Sequence, residues 1–233
     1  TIDAATTNVA RSGSSSFNVP TITMSAAHSV GDAGVTQYFL TNSLVGGSVS
    51  SITASPTSDS WYDAGSSVNV VLNYVWSASS SVRTNLFNYT VDAVTTSVPR
   101  SDSGTFSVPT ITMNVAHSVS DDAKTQYYLT IGLVSGSVSS VTPSQTSDSW
   151  YDSGTSVNAV LYYVWGATSS TRSNLFNYTV DGVTTGVSRA GSGTFSVPTI
   201  TMGAAHSVGD AAQTQYFLTN TLIGGSVNSI TAS

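Results

Sequence analysis

Apolar and polar residues alternate along most of this chain, in short runs broken by Gly, Pro, Asp, Asn and Ser. A period of two is the mark of strands with one face buried. "TQYFLTNSL", from Thr36, puts Tyr38, Leu40 and Leu44 on an irregular apolar face, and "GSVSSITAS" follows a Gly-Gly turn. "SVNVVLNYVW", residues 67–76, is the most apolar run and predicts a central strand. "LFNYTVDAVTTSV", residues 86–98, predicts two strands, and Asp181-Gly182 in its second copy is a hairpin signal. "TFSVPTITM", residues 105–113, contains a proline, whose missing N–H confines it to an edge, a bulge or a strand start. "AHSV" is expected to form only a short element.

These phrases recur. "TFSVPTITM" stands again at 194–202 and, as "SFNVPTITM", at 16–24, so that Phe17, Phe106 and Phe195 lie 89 residues apart. His28, His117 and His206 keep the same step. Residues 56–144 align with 145–233 without a gap, at 62 identities in 89 positions. A period this long implies whole small domains in tandem rather than thin solenoid turns. "TIDAATTNV" at 1–9 aligns with "TVDAVTTSV" at 90–98, so the chain is expected to open partway through a repeat, with no earlier counterpart of 56–89. Six or seven strands per period predict an all-β fold of tandem Ig-like β-sandwich repeats with incomplete terminal repeats; a smaller mixed β design is the alternative.

Composition sharpens this picture. Only 8% of the 233 residues are charged, all twelve acidic residues are Asp, and Lys124 is the one lysine. Without Glu and Lys, helical surfaces are hard to build, whereas Val, Thr, Tyr, Ile and Phe favour strands. No cysteine is present, which excludes disulfides and thiolate metal sites. A first residue that is Thr rather than Met is expected of a chain whose signal peptide was removed, or of a fragment. No apolar run reaches the length of a membrane span. The net charge of −6 and five scattered arginines do not suit nucleic acid. With few ionisable groups, stability is expected to depend weakly on pH.

The order "SWYDSGTSVNAV", "TRSNLFNYTVDG", "TFSVPTITM" with His-Ser-Val after it, then "TQYFLT", resembles the tandem β repeats of secreted archaeal surface proteins. Those are in turn similar to the divergent internalin-B-type repeats of bacterial cell-surface proteins. The resemblance covers the whole chain and implies an architecture rather than an activity. One departure is that Phe87 and Phe176 are followed by Asn-Tyr, where such repeats often place a tryptophan three positions on, so the central packing is expected to differ. The family phase implies an incomplete N-terminal β repeat at 1–35, β-sandwich repeats at 36–124 and 125–213, and C-terminal strands at 214–233 that can act as a donor segment. It also implies a secreted, cell-surface location.

Several residues are candidates for chemistry. Asn88-Tyr89-Thr90 and Asn177-Tyr178-Thr179 are N-glycosylation sequons at equivalent positions. Trp61, Tyr62, Trp150 and Tyr151 can stack on sugar rings; the plainer reading is a loop whose rings cover one end of the core. His-Ser at three equivalent positions is better explained by a repeated structural role than by a nucleophilic triad. Asp59 with Asp63, copied as Asp148 with Asp152, lies in a turn-rich loop without a pocket signature. Asp121-Asp122, Asp32 and Asp210 supply too few carboxylates for a calcium cage. No enzyme activity, cofactor or metal is therefore expected.

The expected function is structural: a subunit of an extracellular filament or cell-surface layer, joined head to tail by β-strand complementation between identical chains. Tyr216, Leu218 and Leu222 are the expected joint residues. The alternative is a cell-surface adhesin or carbohydrate-binding module whose partners are surface glycans.

Overall fold

Val70 and Leu72 alternate with Val71 and Asn73, and the structure buries the first pair completely while leaving the second half-buried. They belong to an all-β structure, with 47% strand and no helix among the described residues. The computed structural model describes residues 1–134, 136–219, 221, 223, 225, 229 and 230. Among these, no helix is long and apolar enough to cross a membrane. Two compact units form: Thr1–Gln126 with Gln145–Asp148, and Tyr127–Ser144 with Ser149–Ser233.

In the first unit the strands are β1 (Gln37–Ser43), β2 (Val49–Ile52), β3 (Trp61–Asp63), β4 (Ser67–Val68), β5 (Val70–Asn73) and β6 (Val75–Trp76). They continue with β7 (Val82–Val91), β8 (Val94–Ser97), β9 (Thr105–Ser107), β10 (Ile111–Thr112) and the start of β11 (His117–Gly132). One sheet has the order β2-β5-β9, and β4 pairs with β10. In the other sheet β11 lies beside β7 and runs parallel to β1, with Leu40 opposite His117. β6 and β8 flank β7, and β3 pairs with β1. Val70 and Leu72 meet Leu40, Leu86, Tyr89 and Val119 from the second sheet. Each such aliphatic side chain contributes roughly 1.5–3 kcal/mol relative to exposure.

The second unit repeats the plan. It uses the end of β11 together with β12 (Val138–Val141), β13 (Trp150–Asp152), β14 (Ser156–Val157), β15 (Ala159–Tyr162) and β16 (Val164–Trp165). β17 (Thr171–Val180), β18 (Val183–Gly186), β19 (Thr194–Ser196), β20 (Ile200–Thr201) and β21 (His206–Tyr216) complete it. Its core joins Leu129, Ala159, Leu161, Leu175, Tyr178 and Val208.

Three local features differ from the sequence reading. The run 67–76 is three strands; the first break falls at Asn69, whose carbonyl accepts the Thr53 N–H and whose N–H donates to Thr53 Oγ1. "AHSV" is not short: His117 opens a strand of sixteen residues, four of which pair with β1. Pro109 falls in the gap between β9 and β10, where no ladder bond is asked of it.

The β7–β8 and β17–β18 hairpins turn through two residues with positive φ, Asp92 (50°) with Ala93 (66°) and Asp181 (50°) with Gly182 (77°). This is the geometry in which glycine is free and alanine is strained by its Cβ. Ala93→Gly is expected to raise stability by about 0.5–1 kcal/mol, measured by urea denaturation. A lower midpoint would contradict the turn.

Candidate functional site

The same hairpin turns build the most distinctive polar arrangement of the molecule. The left-handed conformation at Asp92 points its carboxylate back across the sheet to the start of β11. There Oδ2 meets His117 Nδ1 at 2.5 Å, and Oδ1 accepts the Ser118 N–H at 2.8 Å. His117 Nε2 lies 3.1 Å from the Thr112 carbonyl and 3.2 Å from Asn114 Oδ1. Asp181 repeats the arrangement with His206 at 2.7 Å and the Ser207 N–H at 2.8 Å, and Asp3 repeats it with His28 and Ser29. Sequence reasoning noted the histidines but missed the aspartates. The signal was available: each Asp stands 25 residues before its His in all three copies.

Hydrogen bonds from the Ser118 amide and from His117 hold the Asp92 carboxyl below the usual carboxylate range. For Asp181 the bond from His206 is the larger cause, followed by that from the Ser207 amide. The clips of Asp92 and Asp181 each edge a shallow groove. In the first unit the groove has a volume of ≈ 330 Å³ and is lined by Tyr89, Val91, Val94, Pro109 and Ile111 beside the Asp–His pair. The second unit has its counterpart, of ≈ 340 Å³, beside Asp181 and His206. The nitrogen that would take a proton from a serine nucleophile, His117 Nε2, faces a carbonyl and an amide instead. The arrangement pins a strand start to a hairpin turn.

A second polar cluster lies inside the first unit. Arg83, on β7 and almost fully buried, donates from Nε to Gln126 Oε1 at 2.8 Å and from Nη2 to Thr146 Oγ1 at 2.9 Å. Asp148 Oδ2 stands 2.8 Å from the same Nη2. A buried guanidinium costs several kcal/mol of desolvation, which these partners offset. In the second unit Arg172 makes the matching Nε bond to Gln215 at 2.8 Å and otherwise reaches the Gly191 carbonyl.

The candidates from sequence fall as follows. Tyr62 and Tyr151 are core residues whose hydroxyls donate to the carbonyls of Thr53 and Thr142, and burial pushes both phenols up. Trp61 lies on the outside, 43% exposed, its ring centroid 5.3 Å from that of Phe39. Trp150 is half-buried, 5.1 Å from Tyr128. Asn88 and Asn177 sit within β7 and β17, half-buried, opposite Ser97 and Gly186. Asp63 pairs with Arg11, which holds its carboxyl low, while Asp59 accepts from Thr57 Oγ1 and the Trp61 N–H. Asp121 ties down the β1–β2 turn through the Val45 N–H and Ser48 Oγ, and Asp210 accepts the Val134 N–H at 2.5 Å. Tyr216 ends β21 and is exposed, as is Leu218; Leu222 lies outside the described residues.

No family model, curated protein or solved structure matches this chain.

A carboxyl whose folded value is depressed adds stability above its unfolded value, near 3.9, and that stability is lost as pH falls through the folded value. Asp92→Asn is therefore expected to lower the melting temperature at pH 7, with the difference from wild type shrinking as the pH falls through the depressed folded value of Asp92. A difference independent of pH would show that the charge of Asp92 plays no part.

Proposed function

We propose that this chain is a structural component of a secreted filament or cell-surface layer, built from tandem Ig-like β-sandwich repeats. Identical chains join head to tail by β-strand complementation. One observation carries the reading: equivalent apolar residues are buried in some copies of the repeat and bare in others. Leu40 and Leu129 are each 1% exposed, whereas their counterpart Leu218 is 65% exposed, with Tyr216 and Phe217 exposed beside it. Met113 and Met202 are 0% exposed, whereas Met24 is 72% exposed. A segment that forms a paired strand in two copies of the repeat and lies bare in a third is a template for pairing with another chain. A contact between two different surfaces of identical chains propagates as a fibre wherever its rotation does not close a ring.

The internal polar contacts of the two units support a passive role. The Asp–His clips and the Arg83 cluster spend their hydrogen bonds inside the fold. A second reading, sugar binding by a surface module, is favoured by the exposed Trp61–Phe39 ring pair, since such a face stacks on a pyranose ring.

Leu218→Asp places a charge on an already exposed side chain, so the melting temperature is expected to stay within about 2 °C of wild type. Negative-stain electron microscopy and sedimentation velocity at high concentration are expected to show ordered assemblies for wild type and none for the variant. Wild-type monomers at every concentration would overturn the proposal.

A further inference from the structure

The grooves beside the Asp92 and Asp181 clips match residue for residue. Ten residues line each groove, and all ten are identical in the two units. Between residues 86–124 and 175–213 ten positions differ, and every one of them lies outside the grooves. Core packing explains part of this agreement, since Tyr89 and Ile111 are buried. The clip accounts for Asp92, and a bond to Asn69 accounts for Thr110. Neither reason reaches Val94, which is 68% exposed, or its counterpart Val183, at 69%. Thr96 and Thr185 beside them are exposed as well. Exposed neighbours that do not line the groove differ between the copies: Ser97 is replaced by Gly186, Pro99 by Ser188 and Val115 by Ala204. A single exposed valine needs no explanation, but the same bare valine on the same groove in both units does.

The groove opens along a free sheet edge. Among the described residues β8 pairs with β7 alone, and β18 with β17 alone. In a two-residue hairpin the residues flanking the turn bond to each other, so Val94 and Thr96 bond back to β7. The N–H and C=O of Thr95 and Ser97 then point away from β7. Edges of this kind are usually guarded by a lysine, a proline, an inward charge or a bulge. β8 carries none of these side chains, and its register with β7 runs without a shift. The facing wall is guarded, because Pro109 stands between β9 and β10 without a donor.

We infer that β8, and β18 in the same way, is a lateral interface at which a second copy of this chain adds its own β8 edge, antiparallel. Charge favours this occupant. The groove holds no unengaged carboxylate, since Asp92 already bonds His117 and the Ser118 N–H, and the added strand "VTTS" is itself neutral. The edge is also self-complementary about a twofold axis at Thr96. Thr95 of each chain exchanges main-chain hydrogen bonds with Ser97 of the other, and Thr96 stands opposite Thr96 of the second copy. Thr96 shares the face of Tyr89, its neighbour in the β7–β8 ladder, so the two grooves merge into one channel lined by Val94 and Thr96 of both chains. Gly186 at the position of Ser97 leaves the main-chain bonds of β18 unchanged. A four-residue edge buries much less than the roughly 1,200 Å² of a stable complex. The contact is therefore weak singly and acts where chains already lie side by side, as in a layer. It is separate from the end-to-end joint, which uses the tail around Leu218.

The chain has no cysteine, so an introduced one has no competitor within it. Thr96→Cys is expected to form disulfide-linked dimers at high concentration, read by non-reducing electrophoresis, because residues opposed in a non-hydrogen-bonded pair lie about 4.5 Å apart at Cα. Thr95→Cys is equally exposed and one residue away. It is expected to cross-link at least about tenfold more slowly, since Thr95 of the second copy lies two residues off register, beyond the roughly 7 Å that a disulfide spans. Adding Thr95→Pro to Thr96→Cys removes an outward N–H and leaves the β7 ladder intact. It is expected to slow the cross-link about tenfold, with the melting temperature within about 3 °C. Adding Leu218→Asp instead is expected to leave the cross-link unchanged. Equal rates for Thr96→Cys and Thr95→Cys overturn the inference, as does a cross-link lost with Leu218→Asp, which then reports end-to-end assembly. A fast cross-link that is independent of Leu218, in a chain that never assembles end to end, supports the lateral edge and sinks the head-to-tail reading instead.

Discussion

Each core of this protein closes only when two stretches far apart in the 89-residue period come together: β5 must lie against β9, with Leu72 opposite Phe106. Neither stretch can bury its apolar face alone, because the two are neighbouring strands of the sheet that packs on Leu40, Leu86 and Val119. Loop closure across more than thirty residues costs entropy before any contact repays it. The hairpin clips reduce that cost locally. Asp92 and Asp181 fix the β7–β8 and β17–β18 turns to the starts of β11 and β21 without drawing on the core.

The strand content was legible because alternation and turn residues agree along the period. Leu40 lies in the core where the irregular apolar face of "TQYFLTNSL" put it, with Tyr38 and Leu44 packed against it. The Asp181-Gly182 hairpin signal marks a real turn. Asn69 broke the 67–76 run for a reason that no local pattern carries: its main chain bonds Thr53, sixteen residues away. The length of β11 was hidden for a similar reason, since "AHSV" gains its strand character from parallel pairing with β1. The Trp-Tyr phrase also divides in a way that periodicity only half shows. Tyr62 and Tyr151 point inward to carbonyls, while Trp61 remains outside.

Charge is scarce here, so the few ion pairs and Asp–His hydrogen bonds are placed rather than scattered. Asp63 holds Arg11, Asp148 holds Arg83, and the three Asp–His clips keep the same spacing. Exposed pairs of this kind contribute little each. Arg83 is different because it is buried, and removing Asp148 takes away the counter-charge of a buried guanidinium. Thr146 and Asp148 thus receive one arginine from one strand position, Arg83 on β7.

The central claim is that one sequence phrase has two fates, set by whether a β5-type strand lies beside it. Amide hydrogen exchange of the intact chain tests this most directly. The Val108 and Met113 amides, which donate to Val70 and Ser66, are expected to exchange at the rate of global unfolding. The Val19 and Met24 amides are expected to exchange about a thousandfold faster or more. Equal protection at all four positions would mean that the phrase is ordered by itself, and the account would fail.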